Sequence, residues 1–162
     1  AHPTISAGNQ SNLAAASDLS EATLETILTN VQKIKDDRNI LIGASAKSLH
    51  IPVDSWAIAD RIMSSPGNTQ TSELQANPNT NAINAIRHLG MLPDGYYINR
   101  RFTDTDSYFV KTDVPNGAKM FNRTPLQTKM EPDFDTGNLR FKARERYSFG
   151  VSDWRAFFGS AG

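Results

Sequence analysis

The segment LRFKARERYSF, residues 139–149, alternates apolar and basic side chains with a period of two. Side chains of a β-strand point alternately to its two faces, so this pattern predicts a strand with one apolar face and one cationic face. The apolar positions are Leu139, Phe141, Ala143, Tyr147 and Phe149, with Glu145 as the exception, and the cationic positions are Arg140, Lys142, Arg144 and Arg146. Such a strand must be packed on one face and solvated or partnered on the other, which commits this part of the chain to a β-sheet.

Three interpretations of the cationic row remain open: a solvated face, ion pairs within the molecule or across an interface, and contact with DNA. The candidate acidic partners are Asp104, Asp106, Asp133 and Asp135, because the planar guanidinium group of Arg binds carboxylates through paired hydrogen bonds. Exposed pairs of this kind are worth only ~0–1 kcal/mol each. Because 17 basic and 17 acidic side chains cancel, we expect any DNA contact to be non-specific and secondary.

The first half of the chain carries helical patterns. Residues 1–17 are small and polar and predict a flexible arm. Asp18, with Glu21 as its capping-box partner, predicts the start of a helix that continues to about Asp36. The apolar stripe of that helix consists of Leu24, Ile27, Leu28, Val31 and Ile34. The next apolar run, ILIGASAKSLHIP, predicts one bent strand or two short strands.

Two shorter helices are expected on either side of a long polar loop. Asp54 is suited to cap the helix SWAIADRIM, and residues 64–81, rich in Pro, Gly, Asn and Thr, predict the loop. The third helix is indicated by Ala82, Ala85, Ile86 and Leu89, and Gly90 is suited to end it.

The second half reads as strands and turns. The strand-like runs are YYINRRF, SYFVKT, KMFNRT, LQTKM and LRFKARERYSF, and the turns are TDTD, VPNGA and DFDTGN. Asn116-Gly117 is a hairpin signal. This order predicts a single α+β domain over residues 18–162 rather than a doubly wound sheet. In that domain, helices flank a small mixed or antiparallel sheet, and the C-terminal half is rich in hairpins.

Local signatures of catalysis or cofactor binding are missing from the sequence. It has no cysteine, its three histidines stand in unrelated contexts, and the patterns HExxH, GxSxG, GxxxxGK and GxGxxG do not occur. DFDTG resembles part of a calcium loop but lacks the third ligand position and the distal Glu, so we expect turn-forming aspartates instead. No apolar run approaches the ~20 residues of a membrane helix. The expectation is a protein without enzymatic activity, cofactor, metal or membrane partner.

Three stretches together resemble the C-terminal half of tailed-bacteriophage major capsid proteins. The first is KIKDDRN followed by ILIGASAKSLHIP and SWAIADRIMSSPG. The second is GYYINRRFTDTDSYFVKTDVPNGAKMFNR, with its D-x-D-x-Y-F hairpin and Asn-Gly turn, and the third is FKARERYSFGVSDWRAFFGSAG. The order and spacing of the three carry the resemblance, which covers residues 18–162.

The resemblance implies a structural subunit that self-associates into the shell enclosing packaged DNA. It implies that residues 18 to about 125 form most of the axial domain and that 126–162 return toward the peripheral domain. It also implies location in the virion after assembly in the host cytoplasm, with scaffold or decoration proteins as further partners. Family members generally have an arm, an extended loop and a long helix before this region, so we expect a truncated or cleaved polypeptide.

Two alternatives from other classes stay open. The first is a carbohydrate- or protein-binding module that acts through its polar loops. The second is a hydrolase with dispersed carboxylates, since an acid–base pair can be assembled from residues far apart in sequence.

Overall fold

The computed structural model describes residues 2–5, 8–67 and 83–162, and the chain divides into two compact units. Unit 1 comprises Ala1–Pro115 and Trp154–Gly162, and unit 2 comprises Asn116–Asp153. Helices and mixed or antiparallel sheets are both present, so the α+β prediction is confirmed. The assignment of 18–125 and 126–162 to axial and peripheral regions stays a prediction.

The described residues of unit 1 contain three α-helices: α1 (Glu21–Gln32), α2 (Trp56–Ser64) and α3 (Ala85–His88). Four of the five predicted stripe residues are buried within α1. Ile34 is buried too, but it lies beyond the helix, which ends at Gln32 and not near Asp36.

The predicted cap of α1 is wrong. Ser20 is the N-cap: its Oγ accepts from the amide of Thr23 at 3.2 Å, and Oγ1 of Thr23 accepts from the amide of Ser20 at 2.9 Å. This reciprocal pair satisfies two amides that have no partner within the helix. Glu21 is therefore the first residue of the helix and not, as predicted, the third.

The starts of the other two helices also differ from expectation. A 3-10 turn, Val53–Ser55, precedes α2, so Asp54 lies within that turn and does not cap the helix. Asn84 caps α3 by accepting from the amide of Arg87. Ala82 and most of the predicted loop 64–81 lie outside the described residues. Gly90 follows α3 with φ of +60°, the left-handed conformation expected of a helix-ending glycine.

The strands, in chain order, are β1 (His2–Pro3), β2 (Asn9–Gln10), β3 (Ala46–Ile51), β4 (Tyr96–Ile98), β5 (Tyr108–Thr112), β6 (Ala118–Pro132), β7 (Leu139–Val151) and β8 (Phe157–Ser160). Unit 1 contains a four-stranded mixed sheet in the order β4-β3-β5-β8, in which only β3 and β4 run parallel. Of the run ILIGASAKSLHIP, only the second piece is a strand. The first piece contributes a single bridge, between Leu41 and Lys35.

The core of unit 1 lies between this sheet and the helices. Its largest fully buried side chains include Leu24, Ile27, Leu49, Ile51 and Tyr108. Full burial of one such apolar side chain contributes about 1.5–3 kcal/mol. Because β8 pairs with β5, the C-terminal segment completes the sheet, and unit 2 is inserted in the sequence between these two neighbouring strands.

Unit 2 is a long antiparallel hairpin of β6 and β7. KMFNRT and LQTKM, expected as separate strands, form one strand interrupted by irregularities between Asn122 and Gln127. The turn of the hairpin is DFDTGN, with Gly137 at φ of +67°. Asn116-Gly117 does not close a hairpin, because β5 pairs with β3 and β8 and not with β6. Asn116 does adopt the left-handed conformation, with φ of 64°.

Candidate interaction surface

The register of the hairpin sorts the side chains of β7 as the period-two pattern predicts. Residues directly opposite each other in an antiparallel pair lie on the same face. Phe141 lies opposite Met130 and Phe149 lies opposite Met120, whereas Lys142 lies opposite Lys129. The hairpin therefore has an apolar face and a cationic face, each built by both strands.

The apolar face is exposed along the length of the hairpin. Its large members are Met120, Met130, Leu139, Phe141, Tyr147, Phe149 and Val151. Phe141 is 64% exposed and Phe149 is 70% exposed. Tyr147 contacts the ring of Phe149 edge-on, at 5.4 Å between centroids. A two-stranded hairpin is at best marginally stable in water, so a face of this kind indicates a surface that another polypeptide covers.

The cationic face is neutralised at the turn end of the hairpin. Its charged members are Lys119, Lys129, Glu131, Arg140, Lys142, Arg144 and Arg146. Arg140 forms an ion pair with Asp133, and Lys129 forms one with Glu131. Within the described part of the chain, Lys142, Arg144 and Arg146 have no carboxylate within ion-pair distance. These three side chains, on alternate residues of one strand, form a positively charged strip.

The structure separates the four predicted acidic partners. Asp133 meets Arg140 in the hairpin, and Asp135 is exposed in the same turn. Asp104 and Asp106 lie in unit 1, between β4 and β5. A hydrogen bond between these two carboxyl groups lowers the pKa of Asp104 and raises that of Asp106. Whether any of them forms an interface stays a prediction.

The contribution of β6 to the apolar face was missed by sequence reasoning. The residues concerned are Met120 and Met130, from two runs that were expected to be separate strands. Each of the two irregularities beside Thr124 shifts the register with β7 by one residue, so the period-two alternation of β6 is interrupted between Asn122 and Gln127 and then resumes in the same phase. The runs KMFNRT and LQTKM are each strand-like, but only their pairing with β7 shows that they form one strand with a common apolar face.

Other possible sites are few in the described ranges. There, no group of three or more His, Asp or Glu residues is placed to hold a metal ion. None of the described helices combines the length and apolar character needed to cross a bilayer. His50 is a half-buried residue of β3 whose ring stacks on Tyr97, and its Nε2 lies 3.1 Å from Oγ of Ser48.

Comparison with known proteins gives a likeness of fold. No protein-family model matches the chain, and no curated protein matches it. Among solved structures, the chain is similar to the subunit in a crystal structure of a virus-like particle from Pyrococcus furiosus, with a TM-score of 0.50 and 10% sequence identity. The match covers 93% of this chain and 57% of that chain, so the chain spans a little over half the length of its structural neighbour.

Proposed function

We propose that this chain is a structural, non-enzymatic subunit of a viral or virus-like shell, of the kind built by tailed bacteriophages. It acts by self-association into capsomers that enclose DNA, and it resides in the virion after assembly in the host cytoplasm. The observation that carries the proposal is the likeness over 93% of the chain to the fold of a virus-like particle subunit. Scaffold or decoration proteins are further partners under this proposal.

The apolar face of the hairpin supports the same proposal. Thirteen residues of β7 at ~3.4 Å each give a strip roughly 44 Å long, and two strands give it an area on the order of 400 Å². A standard protein interface buries about 800 Å² on each partner. The face therefore supplies about half of such an interface.

Charge balance fits close packing of many copies. The chain has a formal net charge of +0, so identical subunits meet without the self-repulsion of a strongly charged protein. Repeated weak contacts add up when each subunit makes several of them at once. Exposed ion pairs formed between subunits would adjust register rather than supply most of the binding energy.

Negative-stain electron microscopy of the full-length protein, together with sedimentation velocity, tests the proposal. We expect ring-shaped capsomers or closed shells and a sedimenting species much larger than 17.8 kDa. Assembly should increase with protein concentration, because it is a mass-action process. A folded protein that remains monomeric at high concentration would contradict the proposal.

A further inference from the structure

The two outer edges of the hairpin differ in their capacity to pair with another strand. Unit 2 is a two-stranded sheet, so both edges present backbone groups that no described strand uses. In an antiparallel pair, residues alternate between those bonded to the partner strand and those whose N–H and C=O point outward. An outward row of this kind is a template for an added strand.

Two backbone hydrogen bonds determine which residues of β7 point outward. The amide of Asp133 donates to the carbonyl of Asn138 at 2.8 Å, and the amide of Ser152 donates to the carbonyl of Gly117 at 3.1 Å. These bonded pairs are in register with the even-numbered residues of β7. The outward backbone groups therefore belong to the odd-numbered residues: Leu139, Phe141, Ala143, Glu145, Tyr147, Phe149 and Val151.

The outer edge of β6 is poorly suited to strand addition. Pro125 and Pro132 lack an N–H, and the register shifts twice between Asn122 and Gln127. Prolines and bulges are the features by which proteins prevent pairing at a sheet edge. β7 has no proline and no register shift assigned to it over its 13 residues. The edge of β7 is therefore the one able to accept a strand.

The side chains of β7 specify what the added strand must carry. Residues opposite the odd-numbered positions would extend the apolar face, and residues opposite Lys142, Arg144 and Arg146 would lie on the cationic face. Pairing β7 with β7 of a second copy would put cations against cations, which is destabilising. Carboxylates at alternate positions would instead neutralise the strip. DNA could neutralise it too but offers no backbone donors and acceptors at strand spacing.

We propose that the outer edge of β7 binds, by strand addition, an extended peptide segment in which Asp or Glu alternates with apolar residues. Main-chain hydrogen bonds provide the affinity, as in other strand-addition complexes. The charged strip selects the acidic sequence by pairing with its carboxylates. The inference concerns one edge of unit 2 and does not depend on shell formation.

Fluorescence anisotropy with the full chain and a labelled peptide of alternating Glu and Val tests this inference. A peptide with Lys in place of Glu is the control for charge, and a single-stranded oligonucleotide is the control for polyanion binding. We expect the Glu peptide to bind at least tenfold more tightly than the Lys peptide. Its binding should weaken with salt, because ion pairs at the surface are screened.

A matched pair of proline variants tests the edge itself. Ala143 and Thr128 lie directly opposite each other, and both direct their N–H groups outward, on opposite edges of the hairpin. Ala143→Pro should weaken binding of the Glu peptide about fivefold or more, since one edge hydrogen bond is lost. Thr128→Pro should change binding less than twofold. Circular dichroism checks that both variants retain their strand content.

A charge-reversal variant tests the inference without proline. Replacing Lys142, Arg144 and Arg146 together by Glu should transfer the preference from the Glu peptide to the Lys peptide. Equal weakening by the two proline variants would overturn the inference. Failure of the Glu peptide to bind, or an unchanged peptide preference after charge reversal, would also overturn it. The inference would likewise be wrong if an oligonucleotide displaced the peptide and Ala143→Pro did not weaken binding of that oligonucleotide.

Discussion

Arg140 donates a hydrogen bond from Nη2 to Oδ2 of Asp133 across the turn that joins β6 to β7. The Asp133 side chain is 15% exposed and that of Arg140 is 75% exposed. The same oxygen of Asp133 also accepts from Oγ1 of Thr136 at 2.9 Å. The carboxylate therefore stabilises the turn and neutralises the first cation of the row at the same time.

Removing this charge should loosen the end of the hairpin. Asp133→Asn is expected to lower the free energy of local opening by about 0.5–1 kcal/mol, because the arginine end of the pair is largely in water. Hydrogen exchange at the amides near the turn measures this opening. Asp135→Asn is the matched control, since Asp135 lies in the same turn and has no ion-pair partner within the described residues. If Asp133→Asn and Asp135→Asn increased local opening equally, the cause would be the loss of one negative charge and not the loss of the Asp133–Arg140 ion pair.

A charge on the apolar face should block self-association. Phe149→Asp places a carboxylate on that face beside Tyr147, where burial against a partner would cost several kcal/mol without a counter-charge. Sedimentation velocity and electron microscopy should then show a smaller species with unit 1 still folded. Ser148→Asp adds the same charge to the cationic face and should leave assembly largely intact. Assembly that survives Phe149→Asp would show that this face is not an interface between subunits.

The hydroxyl of Tyr108 should be dispensable for stability. Tyr108 is fully buried in β5, and its Oη has no hydrogen-bond partner within the described residues. Tyr108→Phe should leave the free energy of unfolding unchanged or raise it by up to ~1 kcal/mol, because an unsatisfied buried hydroxyl is removed. Denaturant unfolding of the purified chain measures the change.

A second substitution on β5 is the control for that measurement. Oγ1 of Thr112 donates to the carbonyl of Arg155 at 2.8 Å and is itself buried. Thr112→Val should lower the free energy of unfolding by about 1–2 kcal/mol, since the carbonyl loses its donor. Equal destabilisation by Tyr108→Phe and Thr112→Val would contradict the prediction that only the hydrogen-bonded hydroxyl contributes to stability.

His50 should make stability depend on pH in mildly acidic solution. Burial, and secondly the positive charge of Lys111, lower the pKa of His50 below its ordinary value of 6.5. The unfolded chain therefore binds a proton at His50 more readily than the folded chain does. The contribution of His50 to the free energy of unfolding is complete above about pH 6.5 and is lost as pH falls through the pKa of the folded state. His50→Gln should flatten the dependence of the melting temperature on pH in that window. If the melting temperature of His50→Gln depended on pH as steeply as that of the unmodified protein, the pH dependence would arise from other groups.

The elements that follow from local geometry were predictable. The two faces of β7 and the buried stripe of α1 agree with the structure, because strand and helix periodicities depend only on neighbouring residues. A capping box was predicted for this helix, but at Asp18 instead of Ser20, since both residues carry side chains that can cap a helix. Competition between such neighbours is decided by fractions of a kcal/mol.

Strand partners could not be read from the chain in this way. Asn116-Gly117 has the composition of a hairpin turn and the positive φ that such turns use, yet β5 pairs with β3 and β8. Likewise, Asp133 meets Arg140 while Asp104 and Asp106 lie in the other unit. The sequence alone determined the two faces of β7 and the buried stripe of α1, because those properties are local. Only the tertiary structure decided which strands meet, because pairing depends on burying a shared core between segments distant in sequence.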